Sequence, residues 1–291
     1  MELPCFPRFV PMSFDLKPEM HPALSMIPDG VSEYTFANLY LFRNRYRYKV
    51  SRVPGTFIIS GEREGKKFFM TPCAAPEPAV LEELFNTHDY WKGIPDSVLG
   101  SRRADLEARG VEFTEDRDNF DYLFLRTDLA ELPGKKFHKK RNLVNAFVNA
   151  YTHEERPLNA ALVPQAAAVL DRWREDKGAE GDYAAAREAL EIFESLKMRG
   201  TLYYVDGKPA GWCLGERLAR GRMFAVHFEK AVDAYKGIYQ FMNQSFAAAL
   251  PRHYTLVNRE QDLGDEGLRQ AKMTYRPCGF VKKYLGRRRD S

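Results

Sequence analysis

TLYYVDGKPAGWCLGERLARGRMFAVHFEKAVDAYKG, residues 201–237, holds in order a hairpin, a third strand and a glycine-bearing turn, and the rest of the chain is read outward from it. Thr201 to Val205 and Ala210 to Arg217 are apolar-rich runs joined through Asp206-Gly207, a dipeptide that favours a tight two-residue hairpin turn. Arg222 to Phe228 reads as the third strand, and Tyr235-Lys236-Gly237 leads from it into the helical periodicity of Ile238 to Ala249. Such a strand–glycine–helix turn presents backbone N–H groups to a phosphate, with Lys236 adding charge and Gly237 permitting close approach. It serves equally as a plain connection.

On the N-terminal side, Gln165 to Glu175 and Tyr183 to Met198 are helical, and Asn159 to Val163 reads as a strand. On the C-terminal side come a strand, Thr255 to Asn258, and a last helix, Glu266 to Tyr275. The first half follows a similar order. A short helix around Pro18 to Met26 precedes a helix over Glu33 to Arg43, strands Tyr46 to Ser51, Thr56 to Ser60 and Lys67 to Thr71, helices Pro78 to Asn86 and Ser97 to Arg109, and a strand Asp121 to Arg126. No repeat is visible at the level of residues, so the likeness of the halves rests on pattern. The expectation is a mixed α+β fold of two units, residues 1–150 and 151–291.

Between them lies GKKFHKKRNLVNAFVNAY, residues 134–151, with Leu143, Val144, Phe147, Val148 and Tyr151 on a helical stripe and a basic run at its start. A helix N-terminus carries partial positive charge, so cations there are mildly repelled and an anion is attracted. Lys136, Lys140, Arg141 and Asn145 are therefore candidates for holding a phosphate or carboxylate at the junction, where their cations would face a shared cleft; a solvated basic surface is the plainer alternative.

Composition narrows the classes. With charged residues at 29%, both signs interspersed, and a net charge of +4, any nucleic-acid surface must be local. The terminal Arg287, Arg288 and Arg289 read as a frayed tail. Cys5, Cys73, Cys213 and Cys278 form no CxxC pair and have no His at metal-ligand spacing, which predicts reduced thiols and no bound metal. No segment approaches the ~20 apolar residues of a membrane span, and the start lacks a secretion signal, so the expected location is cytoplasmic.

Asn258-Arg259-Glu260-Gln261-Asp262 follows a strand and precedes the last helix, where open sheets place ligands. Arg259 can clasp a carboxylate or phosphate, Asn258 can assist, and Glu260 or Asp262 can orient it or act as a base, though an aspartate here also serves to cap the helix. His227 and Glu229 flank Phe228, and strand alternation predicts that both share one face, where either could take a proton from an acceptor amine. Tyr239, Tyr275 and Tyr284 are possible proton donors. G-x-S-x-G, P-loop, HExxH and G-x-G-x-x-G motifs are absent.

The helix pair, hairpin and strand–glycine–helix of the second half resemble the acyltransferase fold of the GNAT superfamily, and the restarted pattern makes the chain look like two such units in tandem. The spacing Gly134…Arg141…Asn145 and the run Leu268-Arg269…Lys272…Tyr275…Pro277 are similar to the C-terminal domain of the phosphatidylglycerol lysyltransferases, and NREQDLG with GLRQAK to a soluble branch of that family. The likeness spans about residues 20–285 and is more distant to the Fem-type aminoacyltransferases. It implies a cleft between the units, no tightly bound cofactor, and direct transfer of an acyl or aminoacyl group to an amine or hydroxyl. By matching position, Arg141, Asn145, Arg269 and Lys272 take binding roles; His227, Glu229 and residues 258–262 are read from this chain alone. The transmembrane region joined to the lysyltransferase domain has no counterpart here, which weighs against lipid modification.

Three functions follow. The first is aminoacyl transfer from aminoacyl-tRNA, with the basic run on RNA phosphates and a small molecule, lipid headgroup or peptide as acceptor. The second is CoA-dependent N-acetylation, with Lys236 and Gly237 on the pyrophosphate. The third is a catalytically inactive protein that binds RNA, a nucleotide or a protein, which requires that His227, Glu229 and residues 258–262 point apart.

Overall fold

The computed structural model describes residues 2–72, 74–178 and 180–289, so Cys73 lies outside the described residues. Two compact units share the chain: Met1–Asp121 with Gln261–Asp265 and Phe280–Ser291, and Tyr122–Glu260 with Glu266–Gly279.

The first unit is built on strands β1 (Val10–Pro11), β2 (Lys49–Val53), β3 (Thr56–Arg63), β4 (Lys66–Met70), β5 (Tyr90–Pro95), β6 (Val111–Glu115) and β14 (Lys283–Arg288), in the order β1-β2-β3-β4-β5-β14-β6. β2, β3 and β4 form an antiparallel meander, β5 runs parallel to β4, and β14 is inserted antiparallel between β5 and β6. Phe69, Trp91, Ile94 and Val111 from these strands pack with Leu81 and Leu84 of the helix Pro78–Thr87. A buried charge cluster sits beside this core. Lys283 Nζ donates to Glu33 and, at 2.8 Å, to Asp121, while Asp121 also accepts from the Ser32 amide and hydroxyl, each at 2.9 Å.

The second unit contains β7 (Asp121–Leu125), β8 (His153–Pro157), β9 (Arg199–Val205), β10 (Lys208–Leu218), β11 (Met223–Ala231) and β12 (Leu256–Asn258), ordered β7-β12-β11-β10-β9-β8; β13 (Gly279–Val281) carries the chain back toward β14. β11 and β12 are parallel and the other pairs antiparallel. The β9–β10 turn has Asp206 at φ 49° and Gly207 at φ 75°. Two consecutive left-handed residues match the right-handed twist of the strands, which is why Asp-Gly closes this hairpin. Helices Val163–Lys177, Tyr183–Ile192, Ile238–Ala249 and His138–Ala150 complete the unit.

Several expectations need correction. The boundary at 150 moves to 121/122: β7 pairs with β12, and His138–Ala150 packs within the second unit on Ile238–Ala249, where the Phe147 and Phe241 rings stack at 4.7 Å. The strand expected over 159–163 is instead a 3-10 turn, because the Asn159 side chain accepts from the Ala161 amide and starts the following helix. The true strand there is His153–Pro157, whose exposed polar edge position hides it from an apolar pattern. The helix over Ser97 to Arg109 breaks at Gly100, where φ 4° and ψ −109° leave the helical region. Arg287 and Arg288 are no frayed tail but the end of β14, and Arg289 pairs with Glu112 at 2.9 Å.

Candidate functional site

The site is built where β11, β12 and two helices of the second unit meet. A bulge makes it. The register of β10 against β11 passes from Leu214↔Phe228 to Gly215↔Val226, so His227 has no partner on β10. One extra residue breaks the two-residue alternation that would set His227 and Glu229 on a common face. Their side chains accordingly take different partners, which corrects the expectation of a shared one.

His227 is buried between carboxylates: Nδ1 lies 2.6 Å from Glu260 and Nε2 3.1 Å from Glu216. Burial alone would lower its pKa, but the Glu260 charge and the hydrogen bonds it donates to both carboxylates outweigh it and raise the pKa to about 10. At neutral pH it is an imidazolium with both N–H groups committed. It cannot accept a proton, so the base role expected for His227 falls, and Glu260 is its counter-ion. The parallel pairing Ala225↔Asn258 explains the contact, because two residues further along each strand are 227 and 260.

Glu260 adopts φ 56°, and the surrounding loop is fastened from several sides. The buried Asn258 side chain accepts from the Glu260 amide at 2.7 Å, and Lys272 Nζ donates to the Arg259 and Glu260 carbonyls at 2.7 and 3.2 Å. Tyr122 exchanges backbone bonds with both residues, at 3.0 Å to the Arg259 amide and 3.2 Å to the Glu260 carbonyl. Asn258 and Lys272 are therefore scaffold for this loop.

What the loop presents is Arg259. Its guanidinium donates to Glu229 at 3.1 Å, and Asn243 Nδ2 from the helix Ile238–Ala249 donates to the same carboxylate at 3.1 Å. Glu229, Asn243 and Arg259 line a narrow pocket of ≈ 10 Å³ with Leu129, Val226, Phe246, Ala247 and Val257, room for about one water. The Tyr275 ring centroid lies 5.4 Å from the Arg259 guanidinium carbon, and Lys140 Nζ sits 4.2 Å from the same centroid. Burial first, then the Arg259 charge, lower the Lys140 pKa. Burial raises the Tyr275 pKa, with Glu229 adding to the effect and Arg259 opposing it, so the hydroxyl stays protonated.

The remaining sequence candidates lie elsewhere. Asp262 belongs to the first unit, where it accepts from Arg117 at 3.3 Å and the Gly264 amide at 2.9 Å. It is a loop-forming residue and is not part of the Glu229 cluster. Arg141 donates to the Leu132 carbonyl and, at 2.8 Å, to that of Gly134, holding the turn before its own helix. Lys136 pairs with Asp128 at 2.7 Å. Asn145 and Lys236 are exposed, and Arg269 is half-buried. A Cβ on Gly237 would meet the Leu143 carbonyl at 2.6 Å and Phe147 at 3.2 Å. The space reserved by that glycine is filled by the helix His138–Ala150, so its role is helix packing rather than close approach of a phosphate. The Tyr239 hydroxyl bonds the Ala231 backbone. Two participants escaped the sequence reading, Asn243 and Glu216; for Glu216 the only signal is an acid that follows the apolar run GWCLG.

The family model for the phosphatidylglycerol lysyltransferase C-terminal domain matches residues 25–287. A conserved protein of unknown function from Bacteroides thetaiotaomicron is 31% identical, with a TM-score of 0.86 over 97% of this chain and 99% of that one. L-PGS from Bacillus licheniformis superimposes with a TM-score of 0.64 at 16% identity, over 100% of this chain and 95% of that one. FemX gives 0.59 at 8% identity over 93% and 95%; these two likenesses speak for the fold alone. An uncharacterised protein of Mycoplasmoides gallisepticum is 25% identical over 176 residues, 57% of this chain and 55% of that protein, so the match spans about half the relative's length. The mixed α/β fold with two sheets is thus the one these proteins share. Among the described residues, no helix is long and apolar enough to cross a membrane.

Proposed function

We propose that this chain, which belongs to the family of phosphatidylglycerol lysyltransferase C-terminal domains, transfers an aminoacyl group from aminoacyl-tRNA to an amine or hydroxyl acceptor in the cytoplasm. The observation that carries the reading is the Glu229 carboxylate, only 14% exposed and fixed by Arg259 and Asn243. A carboxylate oriented by two donors, beside a pocket open to about one water, is suited to accept a proton from an incoming nucleophile. In the step envisaged, the acceptor nitrogen or oxygen attacks the ester carbonyl carbon while Glu229 takes its proton. The bond from that carbon to the ribose oxygen then breaks, and Glu229 returns the proton to the departing oxygen. No covalent enzyme intermediate is needed. Arg259 holds Glu229 in place and adds positive charge where the carbonyl oxygen becomes an oxyanion.

A CoA donor has less support, since the turn that would hold a pyrophosphate is closed on one side by the Leu143 carbonyl at Gly237. Of the residues whose convergence separates catalysis from a purely binding role, Glu229 meets Arg259, while His227 and Asp262 take other partners, which favours binding; the Glu229 carboxylate held by Arg259 and Asn243 is what supports catalysis. The test is transfer of radiolabelled amino acids from a mixed pool of charged tRNA, followed in the presence of a cell extract as acceptor source. Transfer by the wild type and its loss in Glu229→Gln, with the folded state retained, is the expected result. Transfer that survives Glu229→Gln, or label that moves only from acetyl-CoA, would refute the assignment.

A further inference from the structure

We infer that Lys140, Arg259 and Tyr275 form a subsite for a phosphodiester oxyanion of the RNA donor, an inference that rests on the transfer reading above. The cations flank a single ring: Lys140 Nζ is 4.2 Å from the Tyr275 centroid and the Arg259 guanidinium carbon 5.4 Å from it. Desolvation first and repulsion from the Arg259 charge second lower the pKa of the half-buried Lys140. Among the described residues, no carboxylate pairs with Lys140. Neighbouring Lys136, by contrast, pairs with Asp128 at 2.7 Å.

The donor geometry suits an oxyanion. Arg259 meets Glu229 through one guanidinium nitrogen at 3.1 Å, and the planar fork keeps further N–H groups for a second partner. The Tyr275 hydroxyl, kept protonated by burial, is a donor at any physiological pH. An ammonium and a guanidinium thus approach the ring that carries the phenol hydroxyl, and of these groups the guanidinium alone has a carboxylate partner, Glu229, among the described residues. A tetrahedral oxyanion accepts from all three and screens the two cations from each other. Exposed Lys135 and Lys139 extend the positive surface outward along the same segment. Such a trail suits a polyanion more than one headgroup, which favours RNA over a lipid.

The test uses the full chain with inorganic phosphate, uncharged tRNA and phosphatidylglycerol vesicles as probes. Phosphate binding at low salt is followed by calorimetry. It should weaken at least about tenfold in Lys140→Met and in Tyr275→Phe, the second variant retaining the packed ring, and should recover in Lys140→Arg. For Lys135→Ala/Lys139→Ala, phosphate affinity should stay unchanged while the slope of log affinity for tRNA against log salt falls by about one to two. Phosphate that does not bind, or binds Lys140→Met as well as the wild type, overturns the subsite. Vesicle binding that depends on Lys140, with tRNA binding that does not, overturns the RNA assignment. If phosphate binding depends on Lys140 but no charged tRNA donates, the transfer reaction fails and the oxyanion subsite stands.

Discussion

His227 Nδ1 stands 2.6 Å from Glu260, with Glu216 at 3.1 Å from its other nitrogen, so a histidine that reads as a catalytic base is a buried structural cation. It fixes the strand end from which Arg259 reaches Glu229.

That pairing sets a pH dependence of known sign. The folded pKa of about 10 lies above the ordinary 6.5, so the stabilisation from protonated His227 is complete below about 6.5 and fades as pH rises through about 10. Nitrogen-15 spectra of the imidazole should show both nitrogens protonated from pH 6 to 9. Neutral imidazole signals at pH 8 would contradict the assignment. His227→Ala, which leaves the buried Glu216 and the half-buried Glu260 without their cation, should cost about 3 kcal/mol.

Gly237 sits at φ 91° with the Leu143 carbonyl 2.6 Å from where a Cβ would lie. Both the backbone and the space exclude a methyl group, so Gly237→Ala should destabilise the protein by about 2–3 kcal/mol, read as a lower urea midpoint with unchanged slope. A variant as stable as the wild type would mean that the helix His138–Ala150 does not press on this turn.

Arg141 holds the turn at Leu132 and Gly134, which makes it a stability residue. Arg141→Ala should lower stability by about 1–2 kcal/mol, whereas Lys139→Ala on the exposed face should stay within about 0.5 kcal/mol. Calorimetric melting of the two variants checks this. Unchanged melting of Arg141→Ala together with weakened phosphate binding would return Arg141 to the ligand-binding role expected from its motif.

Lys283 is fully buried between Glu33 and Asp121, and its ammonium is favoured by both, although burial opposes it. Lys283→Met strands two acids in the interior and should cost about 3–5 kcal/mol. Removing one of the two negative charges with Asp121→Asn in the same chain should recover part of that loss. Equal stability of Lys283→Met and wild type in urea titration would show that the cluster is dispensable.

Much of the fold is legible before any coordinates. Asp206-Gly207 demands two left-handed residues and so announces the β9–β10 hairpin, and the periodicity of Ile238–Ala249 matches its helix residue for residue. The elements that stay hidden are those whose burial does not show as apolar alternation. β8, His153–Pro157, is an exposed edge; β14 combines charged residues with pairing on both sides, and so resembles a tail. For the site, Glu229 and Arg259 stand out as charges at strand ends, but their pairing partners do not. The bulge at His227 depends on a register between β10 and β11 that no local pattern encodes.

The sequence by itself determined the two-unit mixed α/β plan, the hairpin, the principal helices and the family, because turn chemistry, periodicity and motif spacing are local properties of the chain. Tertiary structure alone decided which charges are free for chemistry. His227, Arg141, Lys136, Lys272 and Asp262 all look available in one dimension, yet the first four are bound to a carbonyl or carboxylate and Asp262 to the Arg117 guanidinium, partners that folding brings alongside. Glu229, Arg259, Tyr275 and Lys140, spread over more than a hundred residues, become one cluster only when β11, β12 and two helices converge. Whether an ionisable group is scaffold or site depends on its neighbours in space, since desolvation and Coulomb energy act over a few ångströms and take no account of sequence distance.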